Sequence, residues 1–154
     1  VQDSGDQSTL EACITSGSLT RIEAWNTVNG FDDWMFIDHV DNDFCRKLIN
    51  SGYRILRVAQ TSLYQQAGEM NYRIGRKGKI TMITNYSPLR NYYIVRNTVY
   101  YIRKHKKIIP VFREIGRLMI ILMKKLLYEK NKFKTISTAF KGLRDGMRKK
   151  IITR

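Results

Sequence analysis

Apolar residues return along this chain at helical spacing in several stretches and at strand-like spacing in shorter ones, with glycine and proline between them. After Asp38, Val40, Phe44 and Leu48 recur every fourth residue, and Cys45 and Ile49 widen the stripe, which predicts a helix with one buried face ending at Gly52. Upstream, residues 10–14 form a short apolar run that predicts a strand. Thr20 and Glu23 have capping-box spacing for a helix that would bury Ile22, Ala24, Trp25 and Val28 and stop near Gly30. Residues 53–59 alternate toward Ile55 and predict a second strand, with another over 62–66. Residues 71–85 carry a β-prone run beside Gly75, Arg76, Lys77 and Gly78; the glycines lack phosphate-loop spacing, so a solvated hairpin is expected.

The second half of the chain reads as helices. Ser87 at N-cap and Pro88 at N1 start one that runs to about Lys104, with Leu89, Tyr92, Val99 and Tyr100 near one face. Arg96 stands four residues from both Tyr92 and Tyr100 and so lies within that aromatic face. Pro110 opens a further helix in which Arg113, Arg117 and Lys124 share one side. Phe112, Ile115, Leu118, Met119 and Leu122 belong to its wide apolar arc. From Lys132, Phe133, Ile136, Phe140, Leu143 and Met147 repeat at helical spacing among lysines and arginines. The unbroken apolar run 118–123 falls far short of the roughly 20 residues that cross a bilayer. These helices are therefore expected either to lie on a membrane surface or to pack against the rest of the protein or a second subunit.

Charge sharpens the division. Up to Met70 there are ten Asp and Glu against five Lys and Arg; from Asn71 on there are three against twenty-three, within a chain of net charge +15. An acidic site and a basic platform are implied, the latter suited to an anionic partner. Nucleic acid is the weaker choice, because the tail has no recognised nucleic-acid fold signature and its apolar faces are broader than phosphate contact requires. Cys13 and Cys45 have neither metal nor redox spacing and are expected as free thiols in a reducing cytoplasm.

The candidate chemistry is concentrated between Phe31 and Cys45, where Asp32, Asp33, Asp38, Asp41 and Asp43 are interleaved with bulky apolar residues. Carboxylates in such surroundings need partners or a task. With Asp38 as N-cap, Asp41 falls at N3 beside the buried face, and a helix N-terminus favours the ionised form that a general base must have. The same spacing also fits two carboxylates that only cap orphan amides.

Several motifs in order resemble one family. Ile14-Thr15-Ser16-Gly17-Ser18-Leu19, Val28-Asn29-Gly30-Phe31-Asp32, Phe36-Ile37-Asp38-His39-Val40-Asp41, Asp43-Phe44-Cys45 and Ser51-Gly52-Tyr53-Arg54-Ile55 are similar to the second half of family-2 glycosyltransferases of the GT-A fold. The bacterial rhamnosyltransferase-like branch is the nearest in appearance. The likeness continues through Leu63-Tyr64, Gly68-Glu69 and residues 85–93 to Arg96-Asn97. It implies an α/β chain: residues 1–86 as the acceptor-side, C-terminal part of a Rossmann-like GT-A domain, followed by a basic amphipathic helical tail over residues 87–154.

What the resemblance implies about function is specific. Asp41 stands where the family keeps its catalytic base for inverting transfer of a sugar, rhamnose in the nearest branch, from a nucleotide-sugar donor to a polysaccharide or lipid-linked acceptor. Ser16, Gly17 and Ser18 match an acceptor-region loop, for which an ordinary turn is the plain alternative. Asp38 and Trp34 are further acceptor-side candidates, although tryptophan in such a segment is more often core. Arg96 could neutralise the diphosphate leaving group or pair with an acidic-helix carboxylate. A divalent metal, Mg or Mn, is expected in the parent enzyme, but Gln65 occupies a position where relatives commonly carry histidine, and a carboxamide is a poor metal ligand. The donor-binding half with its Asp-x-Asp motif would precede Val1, so a fragment of a larger enzyme is expected, inactive alone, peripheral on the inner face of a bacterial plasma membrane, with homo-oligomer formation open. The competing expectation is a donor-less, non-catalytic module that binds membrane or a subunit.

Overall fold

The computed structural model describes residues 7–60, 62–64, 71–74, 80–83, 87–128 and 131–151. Among the described residues the protein is mixed α/β, mostly helical, with two small two-stranded sheets. It forms two compact units, Val1–Gln65 and Gln66–Arg154.

In the first unit, β1 (Gln7–Leu10) pairs antiparallel with β2 (Ile55–Val58), in a register that sets Leu10 opposite Ile55. The apolar run 10–14 therefore leaves the sheet at its first residue. Beyond Leu10 the chain turns to bring Cys13 and Thr15 against the helix α2 (Val40–Asn50). Residues 62–64 are not in a strand, and Gln65 lies outside the described residues.

The helix α1 (Ile22–Thr27) starts one residue later than the Thr20-x-x-Glu23 spacing requires. Arg21 is the extended N-cap residue without a side-chain cap, Glu23 falls at N2, and Ile22 is exposed. Ala24 and Val28 form the core with Phe44 and Leu48 of α2, and Phe31 and Tyr53 pack against it. Trp25, Phe31 and Phe44 make a three-ring cluster with centroids 4.8–5.3 Å apart. Gly30 is needed there: its φ is +58°, and a Cβ would stand 2.6 Å from the Trp25 ring.

In the second unit, β3 (Asn71–Ile74) and β4 (Ile80–Ile83) form the antiparallel pair expected of the hairpin, with Asn71 opposite Ile83. The helix α3 (Pro88–His105) begins as its sequence predicts: the Ser87 side chain accepts from the Arg90 amide and Pro88 occupies the first turn. Its burial is wider than one face. Every residue from Ile94 to Tyr101 is buried, among them Arg96, Asn97 and Thr98, while Leu89 is exposed.

Two helices follow, α4 (Val111–Tyr128) and α5 (Lys132–Arg148). The seam between α3 and α5 is built on small residues. A Cβ on Gly142 would lie 2.6 Å from the Tyr92 carbonyl oxygen, and one on Gly146 would lie 2.6 Å from that of Arg96. With no Cβ at either position the two backbones approach to van der Waals distance. Tyr92 Oη donates to Asp145 at 2.9 Å, and Arg103 donates to the carbonyls of Gly146 and Lys149, satisfying the C-terminal end of α5. Lys125 of α4 is buried and donates to Asn91 of α3.

Candidate functional site

The acidic segment is assembled by backbone turns of unusual geometry. The Trp34 amide donates to Asp32 Oδ1 at 3.2 Å and the Met35 amide to the Asp32 carbonyl at 2.9 Å, which folds Met35 into a fully buried position. Phe36, Asp38 and His39 then all have positive φ, 58°, 60° and 63°. Left-handed backbone at non-glycine residues costs about 1–3 kcal/mol each and persists only where the surroundings impose it. His39, left-handed and without a side-chain cap, is the N-cap of α2. The helix thus begins one residue later than an Asp38 cap would have it, and Asp41 sits at N2 rather than N3. Asp38 belongs to the strained turn that precedes the helix.

Asp41 remains at the helix N-terminus, half-buried, and Thr15 Oγ1 donates to its Oδ1 at 2.9 Å. That bond ties the loop of Ser16, Gly17 and Ser18 to the carboxylate. The Ser18 amide and hydroxyl both donate to the Thr15 carbonyl, at 3.1 and 2.8 Å, and Gly17 has φ +73°. A Cβ on Gly17 would also meet Leu63 at 2.8 Å, so that turn is closed as well as left-handed.

Beneath this edge, Asp43 is completely buried and Lys47 stands 3.8 Å from it. Lys47 also donates to the carbonyls of Val28, at 3.1 Å, and Gly30. It fastens the α1–α2 connection to α2 and gives Asp43 a structural position. Arg46 pairs with Glu11 across the surface at 2.9 Å.

The cysteines are closer than their sequence spacing indicates. The sulfurs of Cys13 and Cys45 are 3.9 Å apart, the Cys13 amide points at Cys45 Sγ, and both thiols are free. Burial is the largest cause and pushes the Cys45 thiol up from 9.0 to about 11; the bond from the Cys13 amide opposes the rise, while the Cys13 thiol and the Asp41 charge add to it. Cys13, Thr15, Asp41 and Cys45 therefore occupy one neighbourhood. Only Asp41 of these four carried a sequence-derived role; Thr15 bordered the predicted loop, and no local signal joined two cysteines 32 residues apart.

Other candidates are placed separately. Trp34 is half-buried in the acidic turn, while Trp25 supplies the aromatic cluster. Arg96 belongs to the second unit, buried in α3, where its Nε donates to Asn97 at 2.9 Å and its guanidinium lies 4.5 Å from the Tyr93 ring centroid. Among the described residues no group of three or more His, Cys, Asp and Glu side chains comes together that could hold a metal ion.

No family model matches the chain, and no solved structure does. Among curated proteins the chain is similar to the dTDP-rhamnosyl transferase RfbF of Shigella flexneri, with 27% identity over 136 residues. The match takes in 88% of this chain and 45% of that protein, so the chain spans less than half the length of its curated relative. Across most of its length, the chain is similar to part of a glycosyltransferase.

Proposed function

We propose that this chain is the acceptor-side part of a GT-A-type inverting glycosyltransferase, with Asp41 as the general base. In this reading Asp41 takes the proton from an acceptor hydroxyl as that oxygen attacks the anomeric carbon and the nucleoside diphosphate departs. The observation that supports the reading is the 2.9 Å bond from Thr15 to Asp41, which fixes one carboxylate oxygen; in this reading the other oxygen takes the acceptor proton. The left-handed turn before α2 fits a site held in strained geometry.

Ser16, Gly17, Ser18, Trp34 and Asp38 are the acceptor-side residues in this proposal. The name of the Shigella relative makes a dTDP-activated rhamnosyl donor the first to try, with a polysaccharide or lipid-linked glycan as acceptor. The departing diphosphate needs neutralising positive charge from the whole protein. A divalent metal bound with the donor would supply neutralising charge there; the described residues do not assemble a site for it, and none of the steps above runs through it.

Because the chain spans only part of its relative, the reaction is assigned to the whole protein and should be assayed there. Asp41→Asn in the whole protein should lower transfer by about 10²–10⁴-fold, the usual contribution of a general base, with an unchanged circular dichroism spectrum. Transfer at the unmutated rate by a folded Asp41→Asn protein would refute the assignment.

A further inference from the structure

Helices α4 and α5 carry their large apolar side chains outward. On α5 the positions that meet α3 include the glycines Gly142 and Gly146, while Phe133 and Phe140 are 86% and 68% exposed and Ile136, Leu143 and Met147 are exposed beside them. At 3.6 residues per turn these five lie in one arc. On α4, Phe112, Met119, Ile120, Met123 and Leu127 form a second exposed arc, with Phe112 91% exposed. Leu122 and Leu126 of α4 meet Ile136 and Phe140 of α5 along an open apolar groove of about 170 Å³, so the two stripes join.

Cations border the joined stripes. Arg113, Arg117 and Lys124 follow one edge of the α4 arc, and Lys141, Arg144 and Arg148 follow the α5 arc; all six are exposed. The acids within these helices are engaged: Glu114 is buried with Arg113 and Arg117 at 3.8 and 3.6 Å, and Asp145 accepts from Tyr92 and Arg144.

Charge and apolarity together select the occupant. A second copy would set one row of cations against another. Nucleic acid would meet the cations and leave the apolar stripes in water. No described helix is long and apolar enough to cross a bilayer. An anionic bilayer surface accepts both features at once, with the apolar arcs in the headgroup–acyl boundary and the cations at lipid phosphates.

We propose that the joined outer face of α4 and α5 is a docking surface for an anionic lipid bilayer, on which both helices lie flat. This inference is independent of the catalytic reading. The test is co-sedimentation of the full chain with vesicles of phosphatidylcholine alone and with added phosphatidylglycerol. Binding should be stronger with phosphatidylglycerol and should weaken as salt is raised. The exposed double substitution Met119→Glu with Phe140→Glu should reduce it by roughly tenfold or more. Lys141→Ser and Arg148→Ser should each reduce binding to the anionic vesicles by about fivefold, leaving binding to the neutral ones little changed.

Circular dichroism shows whether each variant is folded. No vesicle binding by the unmutated chain, or equal binding by the folded double-glutamate variant, would overturn the proposal. So would a concentration-dependent dimer that the same variant abolishes, or retention on duplex DNA without retention on vesicles. In the whole protein the double-glutamate variant should still act on a short soluble acceptor, so failure of docking and failure of the transferase reading are separable.

Discussion

Gly142→Ala sets two terms of similar size against each other. Alanine is favoured over glycine inside a helix by about 1 kcal/mol. Against that, the new Cβ would lie 2.6 Å from the Tyr92 carbonyl oxygen and 3.1 Å from both the Arg96 amide nitrogen and Val95 Cβ. Two of these neighbours are backbone of a buried helix, so the seam must open instead of a side chain swinging away. Overpacking of this kind costs about 1–3 kcal/mol, and with a backbone obstacle the upper part of that range applies. The net expectation is a loss of about 1–2 kcal/mol, or roughly 5–10 °C in Tm for a unit of this size. Gly146→Ala meets the Arg96 carbonyl at the same 2.6 Å and should behave alike. The two should fall short of additivity, because one opening of the seam relieves both.

Gly116 supplies the control. It lies inside α4 with nothing within 4 Å of its would-be Cβ, so Gly116→Ala should stabilise by about 1 kcal/mol. Thermal unfolding followed by far-ultraviolet circular dichroism measures all three, since α3, α4 and α5 contribute most of the helical signal. A Gly142→Ala protein at least as stable as the unmutated one would refute the close-approach argument. So would equal shifts for Gly142→Ala and Gly116→Ala.

The remaining predictions concern the first unit. Lys47→Met removes the ammonium that faces buried Asp43 and holds the Val28 and Gly30 carbonyls, and should cost about 3 kcal/mol in urea unfolding. In the whole protein, Thr15→Val should lower kcat about tenfold or more by releasing Asp41, with Thr15→Ser retaining most of it. Equal kcat for the valine and serine variants would remove Thr15 from the positioning role. A mild thiol oxidant should join Cys13 to Cys45 within one chain, and Cys45→Ser should prevent it, as mass spectrometry would show. The raised pKa makes Cys45 slow to alkylate at neutral pH. Because the fold favours the protonated thiol, its stabilising contribution is complete below 9.0 and is lost as pH rises through about 11, measurable as falling Tm over that window.

Local features were legible in the sequence because they depend on neighbours in the chain. Ser87 and Pro88 start α3 by satisfying amides within the first turn, and the stripe of Phe44, Cys45 and Leu48 is buried in α2 as its period requires. The apolar spacing of α5 was equally plain, and so was the division between an acidic and a basic part. The helix α2 starts one residue later than its period indicates, since nothing local predicts two consecutive left-handed residues at Asp38 and His39. Tertiary structure alone decided which side of α5 faces inward: absent Cβ atoms let two backbones meet along Gly142 and Gly146, and the bulkier stripe was left outside. It alone brought Thr15 to Asp41 and Cys13 to Cys45, because contacts between residues 26 and 32 apart arise from how the loop after β1 packs on α2, which periodicity does not encode.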